Sequence, residues 1–166
     1  GGTGVDTKGI HVFTDINGDK TVLSFNDDHF YRGTTTLTEL TESDSADTSG
    51  GNWQGVTLND RAYFFMRGKK PLYYTTDSGD NNYNDGHSQN NAFSEIEESS
   101  EYTGSVPSAN TVLSAYGRLW AADTSTEKTT VHFSDLLDGR KWGSGTAGSL
   151  NISGIIPNNG DTIVGL

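Results

Sequence analysis

The feature that most constrains this chain is a recurring pattern: short runs of β-branched and aromatic residues, often alternating with polar ones, are punctuated by Gly, Asn and Asp. A period of two puts alternate side chains on one face of a strand, and the punctuation supplies the backbone geometry of tight turns. Gly9-Ile10-His11-Val12-Phe13 reads as a strand, Asn17-Gly18-Asp19 as a turn, and Thr21-Val22-Leu23-Ser24-Phe25 as the returning strand. Asn-Gly favours the positive φ that a tight hairpin requires. Asn26-Asp27-Asp28 then turns the chain into His29-Phe30-Tyr31-Arg32, and Leu37-Thr38-Glu39-Leu40 follows as a fourth strand.

The same grammar returns twice. Gly55-Val56-Thr57-Leu58, the turn Asn59-Asp60 and Arg61-Ala62-Tyr63-Phe64-Phe65-Met66 form a hairpin, and Pro71-Leu72-Tyr73-Tyr74-Thr75-Thr76-Asp77 supplies another strand. Thr111-Val112-Leu113-Ser114-Ala115, the turn Tyr116-Gly117 and Arg118-Leu119-Trp120-Ala121-Ala122 repeat the hairpin, before Thr129-Thr130-Val131-His132-Phe133-Ser134-Asp135. Aligning the turns brings Phe30, Tyr63 and Trp120 into register. Repeated meanders of about four strands predict an all-β chain of β-propeller-like antiparallel blades, in which stacked sheets bury what one sheet cannot. The expected units are 1–44, 45–105 and 106–166. A single irregular sandwich is the competing architecture. Only 31% of residues are apolar, so the core between sheets is thin and rests on 7 Phe, 7 Tyr and 3 Trp.

Two segments break the pattern. Residues 41–52 are acidic and rich in small residues, which reads as a solvated connection. Residues 78–105 form a long stretch loaded with Asn, Ser and Glu, read as a loop. Within it, Ser94-Glu95-Ile96-Glu97 has the form of a capping box and predicts a short helix near Ala92 to Ser99. The chain opens on Gly1-Gly2-Thr3-Gly4 without a Met and closes on Ile163-Val164-Gly165-Leu166, which reads as a strand still running. It is therefore expected to be a portion of a larger propeller.

Charge narrows the function. With 11 Lys and Arg against 22 Asp and Glu, the net charge of −11 repels nucleic acid and anionic membranes, which disfavours sequence-specific DNA binding. The absence of cysteine removes disulfides, thiolate catalysis and cysteine-ligated zinc. No apolar run has the roughly 18 residues of a membrane helix, so membrane insertion is not expected.

The sharpest local candidate is Asp15-Ile16-Asn17-Gly18-Asp19, where alternating oxygens can converge on a calcium ion. The rest of such a loop is missing: Lys20 stands where Gly is usual, and Leu23 and Asn26 stand where later ligands belong, so a plain hairpin turn is the preferred reading. Asp77, Asp80 and Asp85, interleaved with Asn81, Asn82 and Asn84, are candidates for a cation or sugar, with a hydrated loop tip as the simpler reading. Glu95, Glu97, Glu98 and Glu101 lie too close in sequence, in too polar a context, to suggest the opposed carboxylates of a glycosidase. His11, His29, His87 and His132 are scattered without metal-ligand spacing. No nucleophile elbow and no phosphate-binding loop occurs. Trp53, Trp120 and Trp142 with Tyr73-Tyr74 can be read as a sugar platform or as wedges between blades; Trp120 fits the wedge best, and Trp142, just after a turn, is the least determined. The expectation is a non-enzymatic chain with no catalytic, cofactor or metal-binding residues and no cofactor.

At the third unit a family pattern emerges. Gly117-Arg118-Leu119-Trp120-Ala121, Val131-His132-Phe133-Ser134-Asp135, Asp138-Gly139 to Trp142, Gly148-Ser149-Leu150-Asn151-Ile152 and Gly160-Asp161-Thr162-Ile163 resemble the propeller portion of the tail nozzle proteins, or tail tubular protein B, of short-tailed bacteriophages. Arg61-Ala62-Tyr63 with Tyr74-Thr75-Thr76-Asp77 looks like a looser copy, and Thr14-Asp15 with Phe30-Tyr31-Arg32 is similar to a neighbouring blade. A complete nozzle subunit is several times longer than this chain. The resemblance implies a virion protein of the phage tail, in a ring of six copies that contacts the portal adaptor and tail fibre proteins. DNA passes through such a ring without sequence-specific binding. The alternative is a host-surface glycan-binding module of a phage adhesin, assisted by calcium, using residues 78–105 and exposed aromatics.

Overall fold

The computed structural model describes residues 6–40, 46–80, 91–96, 104–155 and 162–166, and among these every regular element is a β-strand. The first sheet holds β1 (Gly9–Thr14), β2 (Lys20–Phe25), β3 (Phe30–Arg32) and β4 (Thr38–Leu40). The second holds β5 (Gln54–Leu58), β6 (Arg61–Phe65), β7 (Leu72–Thr75) and β8 (Ala92–Glu95). The third holds β9 (Ala109–Ala115), β10 (Arg118–Thr124), β11 (Thr130–Phe133) and β12 (Gly148–Asn151). Each sheet is an antiparallel meander in chain order, so the chain is all-β with three blade-like units.

Turn chemistry sets the hairpins. Asp15 Oδ1 accepts the amides of Asn17 and Asp19, both at 2.9 Å, while Gly18 takes φ 87°. Tyr116 and Gly117 both adopt positive φ, 53° and 72°, as a two-residue type I′ turn demands. The turns gather at one end of the stack. Ile16 N donates to Asp60 Oδ1 at 2.9 Å, and Leu137 accepts from Asn59 Nδ2 while its own amide donates to Gly117 O at 2.7 Å. The first strands also run side by side, β5 between β1 and β9. His11 Nε2 lies 2.8 Å from Thr57 Oγ1, and a Cβ on Gly55 would sit 2.9 Å from His11 Cγ.

Two cores result, one on each face of the second sheet. Between the first and second sheets lie Phe13, Leu23, Phe25 and Phe30 against Phe64, Leu72, Tyr74 and Phe93, with Trp53 alongside. Phe30 is the hub, its ring 5.0 to 5.6 Å from those of Phe25, Trp53, Phe64 and Phe93. Between the second and third sheets lie Tyr63, Phe65 and Tyr73 against Val112, Leu119, Ala121 and Trp142. This double coverage explains the runs Ala62-Tyr63-Phe64-Phe65 and Leu72-Tyr73-Tyr74, which are buried at every position, whereas β1 alternates.

Several expectations need correction. Ala92 to Glu95 is strand β8 rather than the start of a helix. The edge of β7 captures it through the pairs Tyr73–Ser94 and Tyr74–Phe93, and tertiary pairing outweighs the local capping box; the rest of the expected helix, from residue 97, lies outside the described residues. The stretch 78–105 thus contains the fourth strand of the second blade. Tyr63 and Trp120 do share a register position, but Phe30 belongs to the third strand of its sheet, not the second. The pairings Tyr63–Tyr73 and Trp120–Phe133 align Tyr73 with Phe133 and so Thr75 with Asp135, which leaves Asp77, the last residue of the looser copy, two residues further on. A slip of two keeps every side chain on its face, so periodicity alone could not detect it. Residues 162–166 form no strand, although Ile163 N donates to Lys128 O at 3.0 Å. Gly160 and Asp161 lie outside the described residues.

Candidate functional site

The two carboxylate groups flagged in the sequence have different fates. Asp15 is consumed by its own turn: Oδ1 takes the two amides described above, and Oδ2 accepts from Thr76 Oγ1 of the second sheet at 3.3 Å. The turn is a hairpin cap and an inter-sheet link. Among the described residues, no group of three or more His, Asp or Glu gathers as metal ligands would. In the second group, Asp77 accepts the Gly79 amide at 2.9 Å. Asn81, Asn82, Asn84, Asp85 and His87 lie outside the described residues, as do Glu97, Glu98 and Glu101. Glu95, on β8, pairs with Lys70 at 2.7 Å.

Asp80 stands apart. Its side chain is fully buried at the junction of the second and third sheets. Arg61, first residue of β6, donates from Nη2 at 2.9 Å and Nε at 3.3 Å to Asp80 Oδ2. Arg140, from the turn following β11, donates to the same oxygen at 3.1 Å. Tyr73 Oη donates to Oδ1 at 2.8 Å, and the Arg140 guanidinium lies over the Tyr73 ring at 5.8 Å. Asp138 accepts from Arg140 Nε at 3.2 Å, so the cations are themselves shared. Nearby, Tyr63 Oη accepts the Gly139 amide at 3.2 Å, and burial pushes its phenol well above the usual range.

This arrangement joins sheets. Asp80 is engaged by two guanidinium groups and a phenol, so both of its oxygens are spent on partners from the second sheet and from the turn following β11. A second staple repeats the logic: Arg67, after β6, pairs with buried Asp123 on β10, which also accepts from Lys128 at 3.0 Å. Sequence reasoning singled out Asp80 without finding Arg61 or Arg140 as its partners. Arg140 is 60 positions away, and nothing local marks it.

The aromatic residues also sort differently from expectation. Trp53 and Trp142 are the wedges, each buried, with indole N–H groups donating to Thr48 O at 3.0 Å and Gly139 O at 2.8 Å. Trp120, expected to wedge, instead lies half-exposed on the outer face of the third sheet, 5.3 Å from Phe133. Tyr73 and Tyr74 point to opposite faces of β7, one into each core, and form no platform. His11 is half-buried against Phe64, and burial lowers its pKa. His29 Nδ1 lies 3.0 Å from Glu39 Oε1 and His132 Nε2 3.1 Å from Glu127 Oε2.

The residues behind the family resemblance have local structural jobs. Ser134 Oγ accepts the Leu119 amide at 3.0 Å, tying β11 to β10. Asp135 Oδ1 accepts from the Leu136 amide and from both the amide and hydroxyl of Thr146, which holds its carboxyl down at about 2. Arg118 reaches the Ser134 and Thr146 carbonyls at 2.6 and 3.1 Å and covers the Phe133 ring. No known protein family, curated protein or solved structure matches the chain.

Proposed function

We propose that this chain is a structural component of the short tail of a bacteriophage, in the nozzle, where a ring of copies meets the portal adaptor and the tail fibres. The observation that carries the reading is the use made of the motif residues. Arg118, Ser134, Asp135 and Trp142, on which the resemblance rests, are all spent on holding strands, turns and sheets together. A chain whose distinctive residues serve architecture suits a particle component. The net charge of −11 is compatible with a wall along which DNA slides without being gripped. Cryo-electron microscopy of the native particle tests the proposal: the three stacked sheets should lie in a ring below the portal. Density for them in the head, or no copy in the particle, refutes it.

One observation favours a second reading as an adhesin module. Tyr116 is 91% exposed and lines the same apolar depression as Trp120, an arrangement on which a sugar ring can stack. A glycan array run with and without chelator distinguishes the two, because the nozzle reading expects no specific, calcium-dependent binding.

A further inference from the structure

Each internal contact joins the same two kinds of face. In the first sheet, the face turned toward the next sheet, its leading face, carries Leu23, Phe25 and Phe30; in the second sheet it carries Tyr63, Phe65 and Tyr73. Each rests on the opposite, trailing face of the following sheet: Phe64, Leu72 and Tyr74 in the second, Val112, Leu119 and Ala121 in the third.

The third sheet repeats the leading face in register. Tyr63 and Trp120 each stand two residues beyond the arginine that closes the hairpin. The cross-strand rows Val56–Tyr63–Tyr73–Ser94 and Leu113–Trp120–Phe133–Gly148 therefore coincide. In the second sheet Tyr63 and Tyr73 are buried under the third; in the third sheet Leu113 is 42% and Leu150 59% exposed, and among the described residues Leu166 also lines the depression beside Leu113 and Trp120. At the other end of the stack, the trailing face of the first sheet also carries exposed apolar residues, interleaved with Ser24 and Glu39. Ile10 is 67% and Val12 52% exposed, with Val22 and Tyr31 beside them across the strand pairs. Apolar patches of this kind mark contact surfaces.

We propose that the leading face of the third sheet docks onto the trailing face of the first sheet in a second copy of this chain. Two copies then reciprocate both contacts, and each junction continues the stacking already made twice within the chain. Such contacts are heterologous, joining unlike surfaces; they close on two copies when three sheets turn through half a circle, and an open-ended or larger assembly would overturn that closure. The inference goes beyond the tail reading and stands or falls separately from it.

Sedimentation equilibrium of the purified chain tests it. The expected wild-type species has twice the chain mass. Leu113→Glu removes only the leading contact and Val12→Glu only the trailing one, so each variant alone should sediment as a monomer. An equimolar mixture should recover a pair, because each variant keeps the face the other has lost. Circular dichroism establishes that the variants are folded; should either fail, Leu150→Lys and Ile10→Lys, at more exposed positions, replace them. A monomeric wild type overturns the proposal, as does a variant that pairs as well as wild type, which would mean like faces meet. A folded pair of variants that stays monomeric on mixing also overturns it, and so does a monomer that binds glycan through Trp120.

Discussion

Replacing Asp80 by Asn isolates the charge at the junction of the second and third sheets while keeping the shape. Oδ2 accepts three N–H groups, two from Arg61 and one from Arg140, and Oδ1 accepts the Tyr73 hydroxyl. An amide has one acceptor oxygen. If that oxygen stays with Tyr73, an NH2 group is pressed against two guanidinium groups, donor against donor; if it flips, the phenol oxygen accepts from the NH2 group, and what is lost is the negative charge facing the two guanidinium groups. Breaking a buried ion pair from one side costs about 3–5 kcal/mol because the remaining charge is left uncompensated. Here Asp138 still pairs with Arg140 at 3.2 Å and Asp77 lies 3.9 Å from Arg61. The lower end of the range therefore applies, about 3 kcal/mol. With a urea m-value of about 2 kcal/mol/M, the unfolding midpoint should fall by about 1.5 M. Lys8→Ala is the control: its pairing with Asp27 at 3.5 Å joins two well-exposed side chains and should be worth under about 1 kcal/mol. A midpoint within about 0.5 M of wild type for Asp80→Asn would refute the reasoning, since the cluster would then contribute no more than a surface pair.

Trp142→Ala should cost about 3–5 kcal/mol in the same assay, as expected for removing a buried indole wedge, whereas Tyr116→Ala should change stability by less than about 0.5 kcal/mol. Gly55→Ala should destabilise by about 1–3 kcal/mol, because its methyl group would press on His11 and Phe64 where β1 and β5 meet; an unchanged melting profile would mean the two strands are not so close. Asp135 has a folded-state pKa of about 2, below its ordinary 3.8, so the stability it contributes is present above the higher value and lost as pH falls toward the lower. Asp135→Asn should therefore flatten the loss of stability between those two pH values, and an unaltered slope would contradict the assignment. His11, its pKa lowered by burial, should contribute stability that is present above 6.5 and lost on acidification, and His11→Gln should remove that component from a pH-resolved melt.

Strand identity was legible along most of the chain, because the period of two and the Asn, Gly and Asp turns act locally. Gly9–Thr14, Arg61–Phe65 and Arg118–Thr124 all form where the residue pattern places them. The fully apolar runs on β6 and β7 also carried a sign that the second sheet is covered on both faces. Local signals misled where tertiary pairing competes with them. The sequence around Ser94 has a helix-start pattern, yet an open edge on β7 offers four residues of ladder hydrogen bonds, and the segment becomes β8.

What the sequence by itself determined is the all-β class and the three meanders, since propensity and periodicity need no partner. Which tryptophan becomes a wedge, which aspartate is buried and which face stays open were decided only by the stacking of the sheets. Those outcomes depend on residues many positions apart, such as Arg140 on Asp80 or Tyr63 under Gly139. A pattern of period two says that a side chain has a face; only the neighbouring sheet decides whether that face meets protein or water.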